Sequence, residues 1–164
     1  QQGEKMGYFV NTTGIDFTIP KENMDKAYRA ICELNKDDSE KMGGAFGNLE
    51  NTEDITGSSS VSTNPNKWYM WMPWNYDEVC KNAAEIFSAL GFEVAEDEDG
   101  NLSLLWYEDK SGQEDLFLKA VSQYVSPGSY IEWSGEDGYL YRHEFDGEKM
   151  EVKVGTVVWK PIFS

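Results

Sequence analysis

Apolar positions change period several times along the 164-residue chain, and each change predicts an element. Ile15, Phe17 and Ile19 alternate with polar neighbours, so Tyr8–Ile19 reads as an extended segment broken near Gly14. Pro20 suits the first turn of a helix, where its missing N–H costs nothing. Met24, Ala27, Tyr28, Ile31 and Leu34 then recur at helical spacing and predict a first helix over 21–34. Residues 36–67 lose every period among glycines 43, 44, 47 and 57, serines 58–60 and 62, and Asn64-Pro65-Asn66. They read as a loop-rich insertion with one short helical turn near Ala45–Leu49.

The second half is denser. Trp68–Trp74 alternates as a strand, with Trp68, Met70, Met72 and Trp74 on one side and Tyr69 and Trp71 on the other. Asn75 and Glu78 form a capping-box pattern for a second helix. Its stripe is Tyr76, Val79, Cys80, Ala83, Phe87 and Leu90, and Gly91 ends it. Strands at Phe92–Ala95 and Leu102–Tyr107 flank the acidic turn Glu96–Asn101. Ser111 and Glu114 open a third helix with Leu116, Phe117, Ala120, Val121 and Tyr124 inward. A strand at Tyr130–Trp133, hairpin turns at Asp137-Gly138 and Asp146-Gly147 around Tyr139–Phe145, and a last strand over Met150–Trp159 complete the chain. Three helices interleaved with about seven strands predict one α+β domain over 1–164, its mostly antiparallel sheet covered by helices on one face. Gln1–Lys5, ahead of Met6, read as a cloning remnant.

Charge narrows the partners. Thirty acids against 14 bases give a formal charge of −16, which opposes general nucleic-acid binding and docking on anionic lipid. No run approaches the ~20 apolar residues that span a bilayer, and no signal-like segment opens the chain. Cys32 and Cys80 stand in no metal or redox spacing and read as buried thiols of a cytoplasmic protein. The charge is uneven: 75–137 carries 15 acids and 3 bases, whereas 138–164 carries four of each and the single histidine, His143.

Catalytic motifs are missing. The chain has no phosphate-binding glycine loop, no G-x-S-x-G and no H-E-x-x-H. One histidine excludes a multi-histidine metal centre, and an EF-hand register on Gly100 would put Ala95 and Trp106 at ligand positions. The reading is a protein that is not an enzyme and carries neither metal nor cofactor, with a hydrolase built around His143 as the enzymatic alternative. What stands out is 6 Trp, 9 Tyr and 8 Phe, more rings than a domain of this size needs inside. The surplus is expected on the open sheet face, under the insertion, or in a homodimer interface.

The stretch Gly128-Ser129-Tyr130-Ile131-Glu132-Trp133-Ser134-Gly135-Glu136-Asp137-Gly138, closed by Arg142, Phe145 and Gly147, resembles small acidic proteins of phages, prophages and plasmids that carry a YubB-type ferredoxin-like domain. Gly100-Asn101-Leu102 and Glu114 with Leu116-Phe117 resemble the same family. The likeness spans 68–147, with an echo in Gly7–Leu34. Tyr141 stands where a Trp is expected before the Arg, and the insertion at 36–67 and the strand after 150 are additions. The resemblance implies a ferredoxin-like core, to which the C-terminal strand is extra, and a setting in the cytoplasm of an infected bacterial host. It supplies no catalytic residues.

Two functions follow as expectations. In the first, the protein antagonises host antiviral defence by sequestering a small nucleotide immune signal, without turnover. Trp68, Trp71, Trp74, Trp106, Tyr130 and Tyr141 would stack the base, and Arg142 with His143 would meet phosphate. In the alternative, Glu93, Glu96, Asp97, Glu98 and Asp99 mimic a nucleic acid and bind a basic CRISPR or restriction effector.

Overall fold

The computed structural model describes residues 7–43 and 64–163; Gln1–Lys5 and the helical turn expected near Ala45–Leu49 lie outside them. Strand β1 (Phe9–Ile19) passes through Pro20 into helix α1 (Lys21–Leu34). Helices α2 (Tyr76–Val79) and α3 (Ala83–Leu90) precede strands β2 (Glu93–Glu96), β3 (Leu102–Trp106) and β4 (Glu108–Lys110). Helix α4 (Glu114–Ala120) leads into a 3-10 turn at Ser122–Tyr124, then strands β5 (Tyr130–Gly135), β6 (Leu140–Phe145) and β7 (Met150–Gly155). The seven strands form one sheet in the order β2-β3-β1-β5-β6-β7, with β4 also paired to β1 and every pair antiparallel.

Strand β1 lies ahead of the expected core at 68–147, yet it is central to the sheet. A register shift between Thr12 and Gly14 puts one extra residue into it opposite β5. The bulge resets the alternation, so Val10 and Thr12 before it and Phe17 and Ile19 after it are all buried. On its other edge β1 meets β3 through Phe17–Ile19 and β4 through Phe9–Asn11. Between those two strands sits Tyr107, and Thr12 spans the gap. Its N–H donates to the Tyr107 carbonyl at 2.9 Å, and its hydroxyl oxygen accepts the Tyr107 N–H at 3.2 Å.

The helices lie on one face, as the pattern predicts. Ala27 and Ile31 of α1, Ile86, Phe87 and Leu90 of α3, and Phe117 and Leu118 of α4 close over Phe17, Leu102, Leu104, Ile131, Trp133 and Phe145 of the sheet. Much of the aromatic surplus is spent here. Among the described residues nine rings are buried: Phe17, Phe87, Phe92, Phe117, Phe145, Tyr69, Tyr76, Tyr107 and Trp133. They meet mostly edge to face, as between Phe17 and Phe145 at 5.2 Å.

Several sequence expectations need correction. Trp68–Trp74 is no strand; among the described residues it carries a single bridge, from Trp68 to Met42. The cause is the C-terminal end of α1, buried at Ile31 and Asn35. The N–H groups of Asn35, Lys36 and Asp37 take the carbonyls of Cys32, Glu33 and Leu34, the Tyr76 hydroxyl donates to Ile31 O at 2.7 Å, and the Tyr69 hydroxyl is shared between Asp37 O at 2.6 Å and Leu34 O at 3.1 Å. Asn35 Nδ2 in turn donates to Trp74 O at 3.0 Å, so the segment wraps the helix end. The second helix breaks at the extended Cys80, leaving Val79 exposed. Asn82, not Asn75, is the working cap, accepting the Glu85 N–H at 2.9 Å. Pro20 stands just outside α1 with an extended backbone. Glu114 is the first residue of α4, buried, and accepts from the Ser111 hydroxyl at 3.1 Å and the Gly112 N–H at 2.7 Å. The last strand stops at Gly155, and 156–163 run on exposed, unpaired with any described residue.

Replacing Thr12 by Val keeps the shape and strands the buried Tyr107 N–H. Chemical denaturation of Thr12→Val should show a loss of about 1–3 kcal/mol, more than for Thr13→Val on the exposed side of the same strand.

Candidate functional site

The eight residues expected to bind a ligand do not converge. On β6, Arg142 faces the open side of the sheet while Tyr141 and His143 face the helices, as strand alternation requires. Tyr141 stacks on Trp133 with centroids 5.8 Å apart and planes 9° from parallel. His143 is buried, and its Nδ1 accepts the Trp133 indole N–H at 2.8 Å. Burial lowers its pKa from 6.5 to about 4, so it is a neutral core acceptor that no ligand reaches. Trp74 is half-buried against the end of α1. Trp106 is exposed at the end of β3, its indole N–H 3.3 Å from Glu108. Trp68 is exposed beside Gly43.

Two concave regions among the described residues contain residues expected to bind a ligand. The larger, about 560 Å³, is a trough on the open face of β5, β6 and β7, lined by Thr13, Glu132, Leu140, Arg142, Glu144 and Lys153 among others. Its cations are already satisfied. Arg142 donates to Glu132 at 2.6 Å and to Glu144 at 3.1 Å, and Lys153 pairs with the other oxygen of Glu144 at 2.9 Å. Glu132, then Glu144, holds the guanidinium pKa up, while Lys153 and Arg142 hold the Glu144 carboxyl below its usual range. Arg142 also lies over the Tyr130 ring, 5.3 Å from its centroid. Two cations and two carboxylates cancel, so an anion entering the trough must displace a carboxylate. The open face is thus a charge ladder, although it was one of the three places expected to take the surplus rings.

The second region is a cleft of about 420 Å³ lined by Trp71, Ala89, Leu90, Gly91, Tyr107, Asp109 and Lys110. Trp71 is built into it under strain. The Met72 N–H bonds Tyr69 O at 2.9 Å, closing a turn in which Trp71 occupies the third position with φ 71°. That left-handed conformation is ordinarily given to Gly or Asn, and for a bulky residue it is an outlier. Buried Tyr69 and Met72 anchor the turn on both sides, and the Met70 N–H bonds Gln113 Oε1 at 2.8 Å. The indole is driven outward and stays 42% exposed.

Two glycines make room. A Cβ on Gly112 would sit 2.5 Å from the Trp71 ring, and the buried Glu114 carboxylate pins that glycine by its N–H. Burial raises the Glu114 pKa. Gly91, at φ 120° past the end of α3, lies where a Cβ would meet the Tyr107 ring at 2.9 Å. Tyr107 donates its hydroxyl to Lys110 O at 2.5 Å, and burial keeps that phenol neutral by pushing its pKa up. Lys110 Nζ reaches Gly7 O at 3.3 Å and, among the described residues, enters no ion pair.

Sequence reasoning singled out Trp71 and missed Gly91, Tyr107, Asp109, Lys110 and Gly112. The break between β3 and β4 that turns Tyr107 inward depends on Thr12, 95 positions away, and leaves no local signal. Among the described residues, no cluster of His, Cys, Asp and Glu is arranged to hold a metal. No family model, curated protein or solved structure matches the chain.

The His143 imidazole stays neutral in the folded chain down to about pH 4 and ionises below 6.5 once unfolded. Its contribution is therefore complete above pH 6.5 and is lost as pH falls toward 4, on the order of 3 kcal/mol. Unfolding free energies across that window should fall by this much more for the wild type than for His143→Asn, which keeps an acceptor for Trp133 but cannot titrate.

Proposed function

We propose that the chain is a phage-type binding protein without turnover, which antagonises host antiviral defence by holding a small nucleotide immune signal in the Trp71 cleft. One observation carries the reading: a tryptophan forced into a glycine conformation presents its ring over a cleft that also contains Lys110. Strain of this kind costs on the order of 1–3 kcal/mol and persists where the surroundings over-determine it, commonly at ligand sites. The cleft volume of about 420 Å³ fits a small ligand. A base would stack on the indole face, Lys110 would meet an anionic group, and Asp109 would accept from a sugar hydroxyl or ring amine. The burial of His143 supports leaving catalysis out of the reading.

The connectivity supports the family setting. With α2 and α3 set aside ahead of β2, and β4 ahead of α4, the run β1-α1-β2-β3-α4-β5 and the spatial order β2-β3-β1-β5 are what a ferredoxin-like core would have, with β6 and β7 as an added hairpin. On this reading the Arg142 ladder holds β5, β6 and β7 together and does not bind phosphate.

Calorimetry with cyclic dinucleotides and ADP-ribose derivatives tests the proposal. A member of the panel should bind, and Trp71→Ala should weaken it roughly 5- to 150-fold, the equivalent of ~1–3 kcal/mol of stacking. Gly112→Ala should do the same by displacing the ring, whereas Arg142→Ala should leave affinity within about twofold. No heat from any member overturns the reading, as does full binding by Trp71→Ala.

A second reading has its own support. Glu93, Glu96, Asp97, Glu98 and Asp99 are all exposed at the β2 edge and its turn, and among the described residues none is ion-paired. Hydrogen bonds from Asn101 hold the Asp97 pKa down, so that carboxylate stays ionised. If this edge mimics a nucleic acid, a basic effector should be captured at low salt and released at high salt. Glu96→Lys with Glu98→Lys should abolish the capture.

A further inference from the structure

We propose that a second copy of this chain docks edge to edge against β7, antiparallel, about a two-fold axis through Val152. Phe145 points its backbone toward β5, its N–H bonding Ser129 O at 3.0 Å and its carbonyl accepting the Gly128 N–H at 2.9 Å. Its cross-strand partner Met150 must then point its own N–H and carbonyl away from β6, and by alternation so must Val152 and Val154. Among the described residues these groups have no partner. They form the open edge of the sheet, and natural edges are blunted, covered or paired.

The side chains on this edge are unusual for a free one. Val152 and Val154 stand opposite His143 and Tyr141, on the helix-side face but beyond the helices, and are 53% and 62% exposed. The chain then continues apolar and uncovered through Val157, Val158, Trp159, Ile162 and Phe163. Charge chooses the occupant and the register. Residues 138–164 carry as many bases as acids in a chain of net charge −16, so two copies repel least here. Pairing about Val152 sets Glu151 against the partner's Lys153, and Lys153 against the partner's Glu151. On the other face, Met150 meets the partner's Val154 and the two Val152 side chains meet each other. Registers centred on 151 or 153 instead oppose Glu to Glu or Lys to Lys. The Val152 register also bonds the outward groups of 150, 152 and 154 to those of the partner.

The dimer would be a continuous 14-stranded sheet, two copies of seven, with each C-terminal arm free to lie along its partner. This pairing is independent of what the Trp71 cleft holds.

Sedimentation equilibrium of the full chain at tens of micromolar should give twice the 18.7 kDa chain mass. Val152→Pro removes one outward N–H without touching the β6 ladder and should weaken dimerisation at least tenfold. Glu151→Lys should do likewise by opposing two like charges, and it leaves the Lys153–Glu144 pair within the chain in place. The double exchange Glu151→Lys with Lys153→Glu should restore the dimer, which a merely damaged fold would not allow. Far-ultraviolet circular dichroism of each variant checks that the strand survives. A monomeric wild type, a larger assembly, or a dimer indifferent to all three variants overturns the proposal.

Discussion

Strand β1 cannot pair with β3 and β4 at once unless something fills the gap between them, and Thr12 does. Its backbone and hydroxyl satisfy both main-chain groups of Tyr107 in a buried position. There an unpaired group costs more than most surface contacts return. From that junction the rest follows in order. The bulge beside Thr12 resets which side chains of β1 face the helices. The turn inward at Tyr107 places its ring beneath Gly91 and its hydroxyl on Lys110, and those contacts shape one wall of the cleft.

The opposite wall depends on a different necessity. At the end of α1 the Ile31 carbonyl takes its donor from the Tyr76 hydroxyl, and just past it the Asp37 carbonyl takes one from Tyr69. Anchoring these rings pulls 68–76 out of extended conformation and throws Trp71 into the left-handed region. The cleft is therefore a by-product of two polar satisfactions, each compulsory in a buried setting. Its accessible indole is what remains when the neighbours of Trp71 are consumed by the core. Electrostatics divides the surface similarly. The open face of β5 to β7 cancels its own charge, the β2 edge keeps an unpaired negative field, and the β7 edge is near neutral and apolar.

Much of the local structure was legible in the sequence. Helix α1 spans the interval that its apolar spacing predicts, because Ala27 and Ile31 bury against whatever lies beneath. The hairpins at Asp137-Gly138 and Asp146-Gly147 form where turn chemistry demands a left-handed glycine. Gly91 ends α3 for the same reason. The aromatic strand at 68–74 misled because alternation is a necessary sign of a strand, while the need that bent this segment sits on α1. The helix expected from 75 to 90 misled likewise: two cap patterns, Asn75/Glu78 and Asn82/Glu85, compete, and only the second is used.

Helix spacing, hairpin turns and net charge depend on near neighbours in the chain, and the sequence by itself determined them: an α+β fold, helices on one face, an acidic middle and a charge-balanced end. Which rings are sealed and which are offered was decided only by tertiary structure. His143 and Arg142 are adjacent, yet one is a neutral acceptor for Trp133 and the other a surface cation held by two carboxylates. Trp133 and Trp71 are the same residue type, one buried completely and one held out to solvent. The reason is physical: burial and pairing are set by partners many tens of residues away, and no local pattern encodes those partners.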